Sequence, residues 1–268
     1  MNAFKRLLFI SLVALACHAC TSFKPFKFAH LTDTQIGFMD NSDGFVHSDS
    51  LFRVAASGVN AEKPDLVFIT GDLVDNTADS LQNALFEVGM KRFEAPVWLV
   101  PGNHDYNKAW TPEIRDRYVT RYGYERFSFI HKKCAFIGID SNCIMEDAPE
   151  EEAKQMEWLK SELAAARKCR HIFIFFHCPF FRKTVDEPHD YSNFPVEKRN
   201  EYISLFKEHG VTAVFTGHTH EDFDFEYEGI RFVIGNPVCN PLGHGHPGYN
   251  MIDVTKDGIE VRPTKTSL

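Results

Sequence analysis

Five short apolar runs, each stopping on an acidic, amide or imidazole side chain, constrain this chain more than any other feature. Phe26–Leu31 leads to Asp33, Asp65–Thr70 to Asp72, Ala95–Val100 to Asn103, His171–Phe176 to His177, and Val211–Phe215 to His218 and His220. Phe26–Leu31 alternates like a strand, and the other, nearly continuous runs read as buried strands. Helical spacing fills Leu51–Val59, closed by Gly58 or the Lys63-Pro64 break, and Ser80–Arg92. The resulting strand-helix-strand order predicts an α/β fold with parallel strands and crossover helices. Ligands of open α/β sheets bind outside the carboxyl ends of the strands. The five loops are therefore expected to converge on one crevice.

The later chain is less regular. Tyr124–Ile130 and Cys134–Asp140 read as paired strands, Glu150–Arg167 and Val196–Glu208 as helices. The tail, Phe223–Tyr227, Arg231–Ile234, Tyr249–Val254 and Gly258–Val261, reads as antiparallel strands. No repeat or Pro/Ser/Gly-rich linker divides the 268 residues, so residues 21–268 are read as one domain.

Residues 1–20 are expected to be an export signal. Lys5 and Arg6 precede the apolar core Leu7–Ala16, which is too short to span a bilayer well, and small residues follow. Cys17 and Cys20 stand where a bacterial lipoprotein would carry its acyl chain, though Ala14 or Cys17 replaces the leucine of a full lipobox. The expected location is the periplasm or cell envelope, with a lipid anchor or by plain secretion. Removing this segment takes away two basic residues and no acid, so the net charge of −8 falls to about −10. Such a surface disfavours duplex nucleic acid, and any bound phosphate must meet a local positive centre. The five later cysteines, Cys134, Cys143, Cys169, Cys178 and Cys239, lack metal or redox spacing and read as buried thiols.

A metal centre would supply that positive charge. Asp33, Asp72, Asn103, His177, His218 and His220 combine carboxylate, amide and imidazole donors suited to Zn²⁺, Mn²⁺ or Fe²⁺. Six donors exceed one tetrahedral ion and suit two, with one carboxylate shared. Each residue alone has a plainer role, as a turn former or a hydrogen-bonded core histidine; their joint placement at strand ends carries the argument.

Asp33-x-Gln35, Gly71-Asp72-x-x-Asp75, Gly102-Asn103-His104-Asp105, His177 and Gly217-His218-x-His220 match, in order and spacing, the motifs of the calcineurin-like metallophosphoesterases. The resemblance spans residues 33–220. It implies a four-layer α/β/β/α sandwich of mixed sheets with a dinuclear site at one edge. It also implies that Asp33, Asp72 and His220 hold one ion beside Gln35, that Asp72 bridges, and that Asn103, His177 and His218 hold the second. His104 is implied as the acid for the leaving oxygen, oriented by Asp75. Gln35 replaces the histidine of most members and is a weaker ligand, as in the branch that includes protein Ser/Thr phosphatases. Asp75 stands where purple acid phosphatases carry tyrosine, which argues against a purple iron centre.

The implied activity is an exported phosphomonoesterase using a metal-bridging hydroxide, with a small phosphate ester or phosphoprotein as substrate. A phosphodiesterase acting on nucleotides or lipid head groups is the second reading. A non-catalytic metal- or phosphate-binding surface protein, decayed at Gln35, is the third. The loops 178–194 and 237–248 are expected to form the rim, with Arg182, His189, His244 and His246 as candidate substrate contacts.

Overall fold

The computed structural model describes residues 22–243 and 245–268. The expected export signal, with Cys17 and Cys20, and the rim residue His244 lie outside the described residues. Among the described residues no helix is long and apolar enough to cross a membrane.

In chain order the elements are β1 (Phe26–Leu31), α1 (Val46–Glu62), β2 (Leu66–Thr70), α2 (Ser80–Met90), β3 (Val97–Val100) and α3 (Pro112–Tyr122). There follow β4 (Phe127–His131), β5 (Cys134–Gly138), the short α4 (Asn142–Met145), α5 (Pro149–Ala166), β6 (His171–Phe175) and α6 (Val196–Glu208). The chain closes with β7 (Ala213–Thr216), β8 (Phe223–Tyr227), β9 (Ile230–Ile234), β10 (Gly248–Val254) and β11 (Ile259–Lys265). One sheet has the order β11-β10-β1-β2-β3 and the other β4-β5-β6-β7-β9-β8. β1, β2 and β3 run parallel, as do β5, β6, β7 and β9. Antiparallel strands complete both sheets, as the mixed sandwich requires.

The doubly buried strands are sorted by parity. Phe26 and Phe28 of β1, Leu66 and Phe68 of β2, Phe173 and Phe175 of β6, and Phe215 of β7 share one cluster between the sheets. Their alternates divide by sheet. Ala29, Leu31, Val67 and Ile69 pack under α1, α2 and α3, while Ile172, Ile174 and Val214 pack under α5 and α6. Side chains alternate across a strand, so one run of apolar residues serves two layers, and three layers of core define four layers of structure. Phe68 stacks on Phe175 at 4.0 Å between ring centroids and meets Phe28 edge-on at 5.5 Å.

Local chemistry sets the helix ends. Asp79 caps α2 through Leu81 and Gln82 N–H, and Thr111 caps α3 ahead of Pro112. α1 is capped from a distance: the Asp40 carboxylate accepts from Ser48 N–H and Oγ at 2.7 Å each.

Of the two stops expected for α1, the Lys63-Pro64 break is the one used: the helix passes through Gly58, where Tyr249 Oη would lie 2.5 Å from any Cβ, and stops at Lys63. α3 was not anticipated, since Tyr118 is its one wholly buried residue. The tail is not uniformly antiparallel, because β9 pairs parallel with β7. The five later cysteines are free thiols; four are buried as expected, and Cys169 is half-buried.

Candidate metal centre

The candidate ligands gather at the carboxyl ends of β1, β2, β3, β6 and β7. The β1 and β2 loops stay hydrogen-bonded beyond their strands: Asp33 N–H donates to Gly71 O at 3.1 Å and Gln35 N–H to Asp72 O at 2.8 Å. Holding that register while turning the side chains into the crevice forces left-handed backbone at Asp33, Gln35 and Asp72 (φ 49°, 30° and 51°). His218 and His220 share it, with φ of 72° and 56°. Five non-glycine residues in a sparsely populated region within one site store strain that surrounding contacts must hold.

Close approach explains two motif glycines. A Cβ on Gly217 would sit 1.7 Å from Thr32 Oγ1 and 2.5 Å from Asp33 Oδ2. One on Gly102 would sit 2.2 Å from Asp72 Oδ1. Each glycine lets a loop of one strand lie against its neighbour's carboxylate. The turn after β3 is tied down further by Asp105, whose carboxylate accepts from Leu73 and Gly102 N–H at 3.0 and 2.8 Å. Burial and the nearby Asp72 push its carboxyl up to about 7.

The donors and acceptors show that a cation fits. His177 Nδ1 lies 2.7 Å from Thr70 O, and His218 Nε2 lies 2.9 Å from Tyr191 O. A carbonyl can only accept, so each ring must donate there, and in the neutral form that binds a cation its other nitrogen is a lone pair. Those nitrogens, His177 Nε2 and His218 Nδ1, face each other at 3.2 Å. Asp72 Oδ2 and Asn103 Oδ1 lie 3.2 and 3.1 Å from His177 Nε2. Four electron-rich atoms thus converge, and the ligand atoms of Asp72, His177 and His218 lie within 4.8 Å of one another. Such a nest is stable only around positive charge.

The electrostatics agree. Burial disfavours charge on His177, yet Asp72 and Asp33 outweigh it and hold its imidazolium up to about 9. Burial and that neighbouring charge push His218 down to about 4. The nest therefore accommodates one extra positive charge and resists a second on the next ring.

A second grouping lies beside it. His220 donates through Nδ1 to Asn240 O at 2.8 Å and turns Nε2 toward Asp33 Oδ1 at 3.4 Å. That carboxylate oxygen is buried with no hydrogen-bond partner, while Oδ2 accepts from Thr32 Oγ1 and His218 N–H at 2.6 and 2.9 Å. Burial works against the charge on Asp33, but the facing imidazoles hold its carboxyl below the usual range. An acceptor pair of carboxylate and imidazole again suits a cation. Gln35 is buried at this edge, with Oε1 3.9 Å from the Cys239 thiol.

His104 sits across from these groups. Its N–H donates to Asp72 Oδ1 at 2.8 Å. Its Nδ1 lies 2.9 Å from Asp75 O and 3.2 Å from Asp75 Oδ1. Burial opposes its charge, but the contact with Asp75 and the field of Asp72 raise its pKa above the ordinary value. The imidazolium is thereby favoured, as a proton donor requires.

All nine sequence-selected residues thus lie in or beside one site. The rim candidates differ. Arg182 engages Glu187 and Asp190, and His189 engages Asn193 O, so both brace their own loop. His246 engages Asn236 and Pro247. Reading the sequence missed Tyr191 and Asn240, which hold histidine ring nitrogens through main-chain carbonyls.

The calcineurin-like phosphoesterase family model matches residues 26–222. The chain is 30% identical to the serine/threonine-protein phosphatase CPPED1 of Rattus norvegicus, over 88% of this chain and 82% of that protein. It is 28% identical to the 3',5'-cyclic adenosine monophosphate phosphodiesterase CpdA of Escherichia coli K12, over 72% of this chain and 71% of that one. Among solved structures, a dimetal phosphatase from Danio rerio shares the fold, with a TM-score of 0.69 and 14% identity over 90% of this chain and 97% of that one.

Proposed function

The chain belongs to the calcineurin-like phosphoesterase family and is a hydrolase of phosphate esters, and from that premise we propose that it is a phosphomonoesterase working with two divalent cations. The observation that carries the reading is the convergence of potential ligand atoms from Asp72, Asn103, His177 and His218, with Asp33 and His220 alongside. Mn²⁺, Fe²⁺ and Zn²⁺ all suit this donor set. Cations held there would supply Lewis acidity and neutralise charge on the phosphoryl group.

The chain's own residues do the rest. Asp72 presents Oδ2 to the nest while Oδ1 fixes the His104 main chain, so the acid and the cation site keep one spacing. Asp75 holds Nδ1 of His104, leaving Nε2 to carry the proton. When water attacks phosphorus and the ester P–O bond breaks, that proton goes to the departing oxygen. Gln35 is the weakest donor at the Asp33–His220 edge, so an ion held there would bind less tightly than its neighbour.

Support for monoesters over diesters comes from the relatives: the protein phosphatase likeness covers 88% of the chain and the phosphodiesterase likeness 72%. The substrate class is then a phosphoprotein or a small phosphate ester. Export to the cell envelope, by the signal in residues 1–20, is part of the proposal; fractionation of cells expressing the full chain tests it. Initial rates on aryl phosphate against bis-aryl phosphate, and on a phosphoserine peptide against 3',5'-cyclic AMP, test the substrate reading. Faster hydrolysis of the diesters would reverse it.

A further inference from the structure

Tyr191 stands in the loop between β6 and α6 and touches the metal nest from outside at two points. Its phenol oxygen accepts from Asn103 Nδ2 at 2.6 Å, and its main-chain carbonyl accepts from His218 Nε2 at 2.9 Å. Its ring also lies against the His218 ring, 4.8 Å between centroids. Asn103 and His218 come from different sheets, so one residue secures a donor from each half of the sandwich.

The loop is built to hold that residue still. Arg199 of α6 is buried and donates to Phe194 O at 2.6 Å, Val185 O at 2.9 Å and Glu187 O at 2.6 Å. Around Tyr191, Asp190 Oδ1 accepts from Ser192 N–H at 2.7 Å and Asn193 Oδ1 accepts from Asp190 N–H at 2.8 Å. Core filling does not account for the residue, because Tyr191 is 60% exposed.

We propose that Tyr191 is a positioning residue of the metal centre: its phenol keeps the Asn103 carboxamide turned with oxygen toward the nest, and its carbonyl keeps the His218 Nδ1 lone pair there. An amide has two faces of opposite polarity. With Nδ2 held by the phenol, only Oδ1 is presented inward. Without that acceptor the carboxamide gains freedom to rotate, and the nest loses a preorganised oxygen. The carbonyl performs the same task on the imidazole, fixing its tautomer as outer partners of metal-bound histidines do. The inference rests on the reading that Asp72, Asn103, His177 and His218 hold a cation.

Tyr191→Phe removes the phenol oxygen and keeps the ring and the carbonyl. Mn²⁺ titration of the metal-stripped full chain, followed by calorimetry, is expected to show one site weakened roughly 10- to 100-fold. The melting temperature of the stripped protein should stay at the wild-type value, and excess Mn²⁺ should restore turnover. In an Asn103→Ala background the same change should have no further effect on Mn²⁺ affinity, since the group it positions is gone. Unchanged affinity in Tyr191→Phe, or a full effect in the double variant, overturns the inference while leaving the metal site standing. Failure of the wild-type protein to bind Mn²⁺ overturns the site reading and this inference with it.

Discussion

His104 Nδ1 is gripped twice by Asp75, at 2.9 Å by its carbonyl oxygen and at 3.2 Å by its carboxylate. The carbonyl sets the direction of the ring; the carboxylate adds charge. The two contributions can therefore be separated, since substitution of the side chain leaves the carbonyl in place.

In Asp75→Asn the alkaline limb of the kcat/KM profile should move to lower pH. The carboxylate raises the His104 pKa, so its removal lets the acid form vanish earlier as pH rises. His104→Ala should lower turnover roughly 10²- to 10⁴-fold, the usual worth of a positioned acid, with metal content by elemental analysis unchanged. Equal loss of metal and turnover would remove His104 from the role of acid.

Metal uptake should expel a proton. Because His177 keeps its imidazolium up to about 9, the stripped protein at pH 7.5 carries a proton where the cation belongs. Mn²⁺ titrations in buffers of different ionisation enthalpy should therefore report close to one proton released per ion at this site. Asp72→Ala should abolish uptake there; undiminished occupancy would contradict its place in the nest.

Asp40 offers a stability test away from the chemistry. Burial raises its pKa, but the bonds from Ser42 and Ser48 prevail and hold it at about 2. A folded-state pKa depressed below the unfolded one stabilises above the unfolded value and loses that benefit as pH falls through the folded value. Asp40→Asn should cost about 1–2 kcal/mol at pH 7, seen by urea denaturation, with the gap from wild type narrowing below about pH 4.

Phe68 tests the layer between the sheets. It stacks on Phe136 and Phe175 and meets Phe28 edge-on. Phe68→Ala should cost about 3–5 kcal/mol, and Phe68→Leu less, measured by denaturant unfolding with metal present throughout.

Much of this structure was readable because the strands are buried on both faces. Runs such as Leu66–Thr70 carry no polar alternation to blur them, and each ends on a residue whose chemistry marks the crevice. α3 gave no such signal: only Tyr118 is fully covered, so its apolar pattern is too thin to show a period. The parallel pairing of β9 with β7 joins strands separated by the β8 hairpin, and pairing at that remove leaves no local mark. Tyr191 and Asn240 escaped notice for a simpler reason. They hold the histidines by main-chain oxygen, a group every residue has.

The division of donors between the sheets has a mechanical corollary. The sheet of β1, β2 and β3 contributes the oxygens of Asp33, Asp72 and Asn103; the sheet of β6 and β7 contributes the imidazoles of His177, His218 and His220. Ions seated between them would act as rivets across the seam of the sandwich, making ligation and cohesion of the two halves one equilibrium. Chelation should then open that edge first, and amide exchange would register the loosening at 32–35 and 216–220 while the aromatic interior stayed protected.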